Sequence, residues 1–403
     1  MTPLVTLGDV VAARALLADV ARETPLEVSR ALAALVGGPV WLKCENLQRT
    51  GSFKIRGAYV RIARLAPEER GRGVVAASAG NHAQGVALGA QLLGAQATVF
   101  MPEGAALPKV TATQAYGAQV RLEGTTIDQS LAAAQEFAAQ TGAAFIHPFD
   151  HPDVIAGQGT VGLEIVDRLP DVRTVVVSGG GGGLASGVAV AVKARAPHAR
   201  VVAVQAAGAA AWPASLAAGH PVPLASMTTM ADGIAVGAPG AVTFAHLQAL
   251  VDDVVVVGEE SLARAMVHCL ERAKLVVEPA GAAGVAAVLD GVIGAEPPVA
   301  VVVSGGNVDP LLLDKLIRRG LVAAGRYLSL HVPVPDVPGS LAKLLDVLAR
   351  TGANVLDVEH LRTQAGLGLD QVEVGLSLET RGPAHCEAVM AALVEAGWLP
   401  RLR

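Results

Sequence analysis

From the N-terminus to about Val322, short runs of Val, Ile and Leu alternate with longer Ala-rich stretches. Val74–Ala77, Ala97–Met101, Thr174–Val177, Arg200–Val204 and Val299–Val303 are almost wholly apolar and read as strands buried on both faces. Ala83–Leu93, Thr126–Gln140, Leu184–Ala194 and Glu260–Lys274 read as helices. Strands alternating with helices at this spacing predict an α/β architecture with a doubly wound, mainly parallel sheet. Arg318–Arg326, basic and then small, predicts a linker. Beyond it the texture changes. Tyr327–Val334 alternates like a strand, and Asp336-Val337-Pro338-Gly339-Ser340 is a turn opening a helix to about Arg350. Asn354–Arg362 and Gln371–Glu379 read as strands, Pro383–Ala396 as a helix and Trp398–Arg403 as a last strand. The order βαββαβ is that of a split ferredoxin-like unit.

The 403 residues suggest two or three domains at roughly 150 residues each. Lys and Arg number 31 against 36 Asp and Glu, a formal net charge of −5. A phosphate-binding surface needs a basic excess, so nucleic acid is not an expected partner. Mean hydropathy is +0.47, which raises the question of a membrane. Val74–Pro102 and Val201–Ala231 carry no charged residue, yet Asn81, His82 and Gln84 interrupt the first and Pro213, His220, Pro221 and Pro223 the second. A spanning helix wants about 20 predominantly apolar residues, so both read as buried elements and no membrane partner is expected. The start of the chain carries Asp9 and no basic segment leading into an apolar run, so no signal peptide is expected. Cys44, Cys269 and Cys386 are odd in number and far apart, with no disulfide framework or CxxC spacing. A reducing cytoplasm is the expected location.

Five segments carry candidate chemistry. Lys54 lies between Phe53 and Ile55, just after Gly51. Partial burial there would depress its pKa and expose the neutral amine that Schiff-base chemistry requires, although a snorkelling surface lysine has the same local sequence. Ser78-Ala79-Gly80-Asn81-His82 follows a strand and opens a helix, a place where backbone N–H groups and an amide receive an anion such as a carboxylate. It also suits an ordinary capped turn. Ser178-Gly179-Gly180-Gly181-Gly182-Gly183-Leu184 is the strongest local signal. Five glycines between a Val-rich strand and a helix let the backbone wrap a phosphate. No Lys-Ser/Thr pair follows, and no acidic residue stands about 20 positions on, so a phosphomonoester fits better than ATP or NAD. Ser304-Gly305-Gly306-Asn307 places polar residues at the carboxyl end of another strand, and Glu278-Pro279-Ala280-Gly281 is a weak signal alone. The histidines show no metal-ligand spacing.

Together these motifs resemble the pyridoxal-phosphate enzymes of fold type II (the tryptophan-synthase-β fold), and within them the threonine dehydratases, or threonine ammonia-lyases. The match runs in order through Thr24-Pro25-Leu26, Ser52-Phe53-Lys54-Ile55-Arg56-Gly57-Ala58, Ser78–Gly85, His147-Pro148-Phe149-Asp150, Ala156–Thr160, Gly180–Leu184, Ala231-Asp232-Gly233, Glu278-Pro279 and Ser304–Asn307. The resemblance implies a two-lobed catalytic domain over residues 1–320, its small lobe (about 51–145) inserted in the large one. It also implies that Lys54 holds pyridoxal 5′-phosphate covalently and takes the Cα proton, with Phe53 flanking the cofactor. Asn81 would bond the 3′-oxygen, Gly180, Gly181, Gly182, Gly183 and Leu184 would cradle the phosphate, and Ser304 would face the pyridine nitrogen. Ser78, Gly80, Asn81 and His82 would hold the substrate carboxylate. The implied reaction is dehydration and deamination of L-threonine to 2-oxobutanoate and ammonia, with L-serine giving pyruvate.

Two departures bear on the choice within the family. Similar serine racemases carry a second catalytic serine, and the nearest loop position here is Ala79; racemase-like relatives also bind a divalent cation where Gln205 and Ala211 align. Two neutral groups suit a hard cation poorly, so no metal is expected there. A serine/threonine racemase, another fold-type-II activity or a catalytically silent amino-acid sensor are the alternatives. Residues 327–403 resemble an ACT domain, which implies regulation by an amino acid such as isoleucine or valine. Asp336 would take its ammonium, and N–H groups near Gly339 and Ser340 its carboxylate. Chains of this plan are often regulated by isoleucine, whose biosynthesis starts from 2-oxobutanoate, and the resemblance leaves a biosynthetic or a catabolic role open. Relatives of this plan are dimers or tetramers, so a homo-oligomer is expected.

Overall fold

The computed structural model describes residues 3–323, 325–362 and 370–402. The chain forms two compact units, Met1–Asp309 and Pro310–Arg403.

The first unit has two lobes. The large one is built on a six-stranded sheet in the order Leu26–Val28, Val40–Cys44, Val299–Val303, Thr174–Ser178, Arg200–Ala206, Asp253–Val257. All neighbours are parallel except the edge strand Leu26–Val28. The sheet is doubly wound, which is why its central strands are almost wholly apolar and buried. Val175, Val177, Val201, Ala203, Ala300 and Val302 pack beneath helices Pro152–Arg168 and Gly183–Arg195. On the other face helix Pro279–Leu289 lies so close that a Cβ at Gly284 would stand 2.8 Å from Val301. The small lobe carries a parallel sheet in the order Gln119–Leu122, Ala97–Met101, Val74–Ala77, Ala144–Phe145. Helices Asn81–Leu92 and Ile127–Thr141 cover it, the latter capped by Thr126 and ended by Gly142 at φ 72°.

Helix Lys54–Ala63 joins the lobes, and glycine makes the junction tight. A Cβ at Gly157 would fall 2.6 Å from the Gly57 Cα, and one at Gly85 would fall 3.0 Å from the Lys54 carbonyl carbon. Three helices therefore meet backbone to backbone at the residue expected to be reactive.

The second unit opens with helix Pro310–Ala323. Its sheet runs Asn354–Leu361, Gln371–Glu379, Tyr327–Pro335, Arg401–Leu402, antiparallel throughout. Leu328, Leu330, Val332 and Val334 face Leu344 and Leu348 of helix Ser340–Thr351 and Val389 and Leu393 of helix Pro383–Glu395. This is the expected ferredoxin-like βαββαβ order.

Two sequence expectations need correction. The segment Arg318–Arg326 is not a linker up to Ala323 but the end of the opening helix, so the division between units falls at Asp309 and not after residue 320. Leu312, Leu313, Leu316, Ile317 and Gly320 form its covered stripe, and Arg318 and Arg319 lie on the exposed face. What reads as a basic spacer is the solvent side of an amphipathic helix. The helix expected over Glu260–Lys274 is α-helical only over Glu259–His268; Cys269–Ala273 forms a π-helical turn that stops at Lys274, φ 59°. Ala324 and Arg403, within the expected linker and last strand, lie outside the described residues. Among the described residues no helix is long and apolar enough to cross a membrane.

Gly157→Ala should lower stability by about 1–3 kcal/mol, because its Cβ meets backbone that cannot yield, while Gly71→Ala, with open space at its Cβ, should not. The urea midpoint of each variant checks this.

Candidate active site

Loops at the carboxyl ends of Val74–Ala77, Thr174–Ser178 and Val299–Val303 converge on one pocket, as open α/β sheets place their ligands. It is lined by Phe53, Lys54, Asn81, Gly180 to Leu184, Glu278 and Ser304 among others. The Lys54 helix is anchored to the Ser304 loop by its first residues. Phe53 N–H donates to the Ser304 carbonyl at 3.2 Å, and Ser52 forms a bridge with Gly305.

Lys54 Nζ donates to the Pro148 carbonyl at 3.0 Å and stands 5.2 Å from the centre of the Phe53 ring. Burial pulls its pKa down to about 8, with the Glu278 charge opposing. A reactive neutral amine is thus available near neutral pH. The turn that presents Pro148 is held by His147, whose Nδ1 accepts from the Asp150 N–H at 2.8 Å; burial pushes this imidazole down to about 4.

The glycine run is packed from outside at each step. A Cβ would fall 2.9 Å from Ile234 at Gly180, 2.4 Å from the Phe149 ring at Gly181, 2.6 Å from Trp212 at Gly182 and 2.9 Å from Phe149 at Gly183. Gly182 also needs φ 92°, a conformation glycine adopts without strain. Trp212 Nε1 donates to the Gly180 carbonyl at 2.7 Å. Among the described residues none accepts from the N–H groups of Gly180, Gly181, Gly182, Gly183 or Leu184. Five free donors at the start of helix Gly183–Arg195 make a nest for a phosphate.

Ser178 Oγ donates to the Ala280 carbonyl at 2.7 Å and lies 3.4 Å from Ser304 Oγ. Asn81 Nδ2 donates to Glu278 Oε1 at 2.5 Å. Burial, reinforced by Asp232, pushes the Glu278 carboxyl up to about 7. Lys109 of the small lobe pairs with Asp232 of the large lobe at the cleft.

The structure therefore brings together Lys54, Phe53, Asn81, the glycine run with Leu184, and Ser304. It does not bring in the His82 imidazole, whose Nε2 lies 2.8 Å from the Ile146 carbonyl and whose pKa burial lowers to about 3. Ser78 Oγ accepts from the Gly80 N–H at 3.2 Å, and Gly80 sits beside Lys109. In the second unit Asp336, Gly339 and Ser340 share one strand-to-helix turn, but Arg362 holds the Asp336 carboxylate at 3.0 Å and the Ser340 N–H reaches the Val337 carbonyl at 3.3 Å. Gln205 commits its amide to Trp212 N–H and the Ala209 carbonyl, so it braces the loop that carries Trp212. Among the described residues no cluster suited to a metal ion occurs. Sequence reasoning gave no role to Ser178, Phe149, Trp212 or Glu278; Ser178, at the head of the glycine run, Phe149, within His147-Pro148-Phe149-Asp150, and the Glu278-Pro279 pair gave a signal, and Trp212 gave none.

An amine with lowered pKa, a nest of free N–H groups and an amide donor in one pocket fit an aromatic aldehyde bearing a phosphate. The family model for pyridoxal-phosphate dependent enzymes matches residues 17–305. The chain belongs to that family. Its cofactor is pyridoxal 5′-phosphate. The chain is 48% identical over 399 residues to the L-threonine ammonia-lyase of Thermotoga maritima, covering 99% of this chain and 100% of that one. It is 47% identical to the L-threonine ammonia-lyase of Geobacter sulfurreducens, over 94% of each. Among solved structures it resembles the processed form of threonine deaminase isoform 2 from Solanum lycopersicum (TM-score 0.74, 39% identity, 77% of this chain and 91% of that one). Maize serine racemase is similarly close (TM-score 0.75, 37% identity, 80% and 99%).

If the neutral Lys54 amine captures the cofactor, the rate of pyridoxal-phosphate uptake should rise about tenfold per pH unit below 8 and level off above it. Stopped-flow absorbance checks this. Gly181→Ala, which drives a Cβ into Phe149, should weaken cofactor binding at least tenfold in the same assay.

Proposed function

We propose that the chain converts L-threonine to 2-oxobutanoate and ammonia. One observation carries the reading: a buried lysine amine shares a pocket with an amide donor, a serine pair and a phosphate nest, in a chain nearly half identical along its length to two L-threonine ammonia-lyases.

Pyridoxal phosphate, when bound, supplies an electron sink conjugated to the amino-acid Cα. Lys54 Nζ would hold it, and the same amine when free would take the Cα proton. Its lowered pKa suits both tasks. The Gly180–Leu184 N–H groups would hold the phosphate, Asn81 Nδ2 would meet the ring oxygen, and Ser304 would face the ring nitrogen. A serine hydroxyl there would keep that nitrogen less protonated than an aspartate would, a weaker electron sink suited to elimination. The loop Ser78–His82 receives the substrate carboxylate through backbone N–H groups and Asn81, the His82 side chain being committed elsewhere. L-Serine is the slower substrate. In the second unit the Asp336 turn receives an amino acid such as isoleucine or valine, whose ammonium must compete with Arg362. A homo-oligomer, dimer or tetramer, is the proposed assembly, in the cytoplasm.

The likeness to maize serine racemase supports a second reading, racemisation. Ala79, where a second basic hydroxyl would be nearest, weighs against it.

Purified, cofactor-loaded protein should release 2-oxobutanoate from L-threonine and leave the unreacted threonine in the L form; D isomers appearing without 2-oxo acid would favour the racemase. Lys54→Ala should abolish both turnover and the absorbance of covalently bound cofactor. L-Isoleucine should change the threonine dependence of the native chain, and Asp336→Ala should remove that response while leaving kcat within twofold.

A further inference from the structure

Asn307 closes the loop after strand Val299–Val303, and the reaction described above gives it no task. Its Nδ2 lies 2.7 Å from the Thr50 carbonyl oxygen and 2.7 Å from Asn81 Oδ1. A backbone carbonyl only accepts, so the Asn307 atom facing it must be the amide nitrogen. Both of its hydrogens are then committed. The second reaches Asn81 and demands an acceptor there, which turns Asn81 Oδ1 toward Asn307 and its NH2 toward the cleft. The far end agrees, for that NH2 donates to Glu278 Oε1 at 2.5 Å. The chain of bonds has one consistent polarity, and it is set at the Thr50 carbonyl.

The local backbone is built around this contact. Thr50 is a β-branched residue at φ 64°, a conformation that costs energy outside glycine. Gly51 follows at φ 69°, and a Cβ there would fall 2.3 Å from Asn307 Oδ1. Two adjacent left-handed residues thus turn a carbonyl toward Asn307 and leave room for its amide.

We propose that Asn307 is a positioning residue that fixes which end of the Asn81 amide meets the cofactor. The proposal rests on the reading that Asn81 bonds the ring oxygen of pyridoxal phosphate. That oxygen, when ionised, only accepts. A flipped Asn81 would set its own carbonyl against it, and Asn307 removes the flipped state.

Asn307→Asp keeps the shape of the side chain and replaces its donor by an acceptor. Pyridoxal phosphate is titrated into the full-length protein, following bound-cofactor absorbance and tryptophan fluorescence. Asn307→Asp should weaken binding at least tenfold and shift the absorption maximum of the bound cofactor. Asn81→Ala should weaken it comparably, and the double variant should be no more than twofold worse than Asn81→Ala alone. Asn307→Ala, which adds no charge, should show the same non-additivity. Losses that add in the double variants would overturn the proposal. So would recovery of affinity when Thr50→Gly is placed in the Asn307→Asp background, since Asn307 would then act only by holding the Thr50 backbone. If native protein binds the cofactor and both Asn307 variants bind it equally well, this proposal falls and the cofactor reading stands. If native protein takes up no cofactor, the cofactor reading falls first and this one with it.

Discussion

The cleft depends on a buried cation two residues from the reactive lysine. Arg56 is 1% exposed, and its five N–H groups are fully engaged. Nε and Nη2 reach the two oxygens of Glu45 at 2.9 and 2.8 Å; Nη1 and Nη2 reach those of Glu164 at 2.6 and 3.0 Å. Thr160 Oγ1 and the Arg22 carbonyl complete the set. Lys43, also buried, adds a bond to Glu164 at 2.5 Å. Two cations and two carboxylates cancel, and every strong donor has a partner, the condition under which a buried ionic cluster can persist. The cluster joins the segment before the first strand, the end of strand Val40–Cys44, helix Pro152–Arg168 and the start of helix Lys54–Ala63. Removing one member would strand an uncompensated charge, at a cost of about 3–5 kcal/mol. The cluster therefore fixes one side of the lysine helix to the large lobe, while Gly57, Gly85 and Gly157 bring the neighbouring helices against its backbone.

With that helix fixed, the cleft becomes a place that disfavours charge. Lys54 and Glu278 face one pocket from opposite lobes, and burial moves each toward its neutral form, the amine down to about 8 and the carboxyl up to about 7. Their mutual attraction opposes the shift in both, but burial is the larger effect. The same low-dielectric setting strengthens every N–H group aimed at an anion, so the glycine nest is more effective here than the same backbone would be in water. Packing behind the nest comes from Phe149, Trp212 and Ile234, which explains why the glycines must be glycines. The outer wall, and not only the ligand, excludes a side chain.

The sequence made legible whatever depends on local pattern. Val299–Val303 reads as a strand because a doubly covered strand has no polar face to hide, and the glycine run stands out because five in succession are costly anywhere else. Residues joined only by the fold were not legible. Glu278 owes its raised carboxyl to burial and to the charge of Asp232, 46 positions away, against the hydrogen bond from Asn81, 197 positions away. His82 sits next to Asn81 in sequence yet points back to the Ile146 carbonyl, because consecutive residues at a helix start face different sides. Arg318 and Arg319 resembled a spacer because a short basic pair carries no periodicity of its own; the covered stripe that shows them to be helical begins six residues before Arg318, at Leu312.

The lobes also meet through a different kind of contact at the cleft. Lys109 and Asp232 pair between the lobes, with Asp232 largely exposed, so solvent screens the pair and its contribution is small. Asp232 nonetheless acts on the interior, since its charge is the largest influence after burial in raising the Glu278 carboxyl. Lys109 works in the other direction on the same group. Movement of the small lobe that separated Lys109 from Asp232 would leave Glu278 facing the Asp232 charge with less compensation, pushing its carboxyl further toward the neutral form. A neutral Glu278 accepts less strongly from Asn81 Nδ2 and frees that N–H for another acceptor. The geometry of the lobes and the protonation of the cleft would thus be coupled through Asp232, whose loop Ala231-Asp232-Gly233 borders the pocket. A weak ion pair outside can in this way bias a strong hydrogen bond inside.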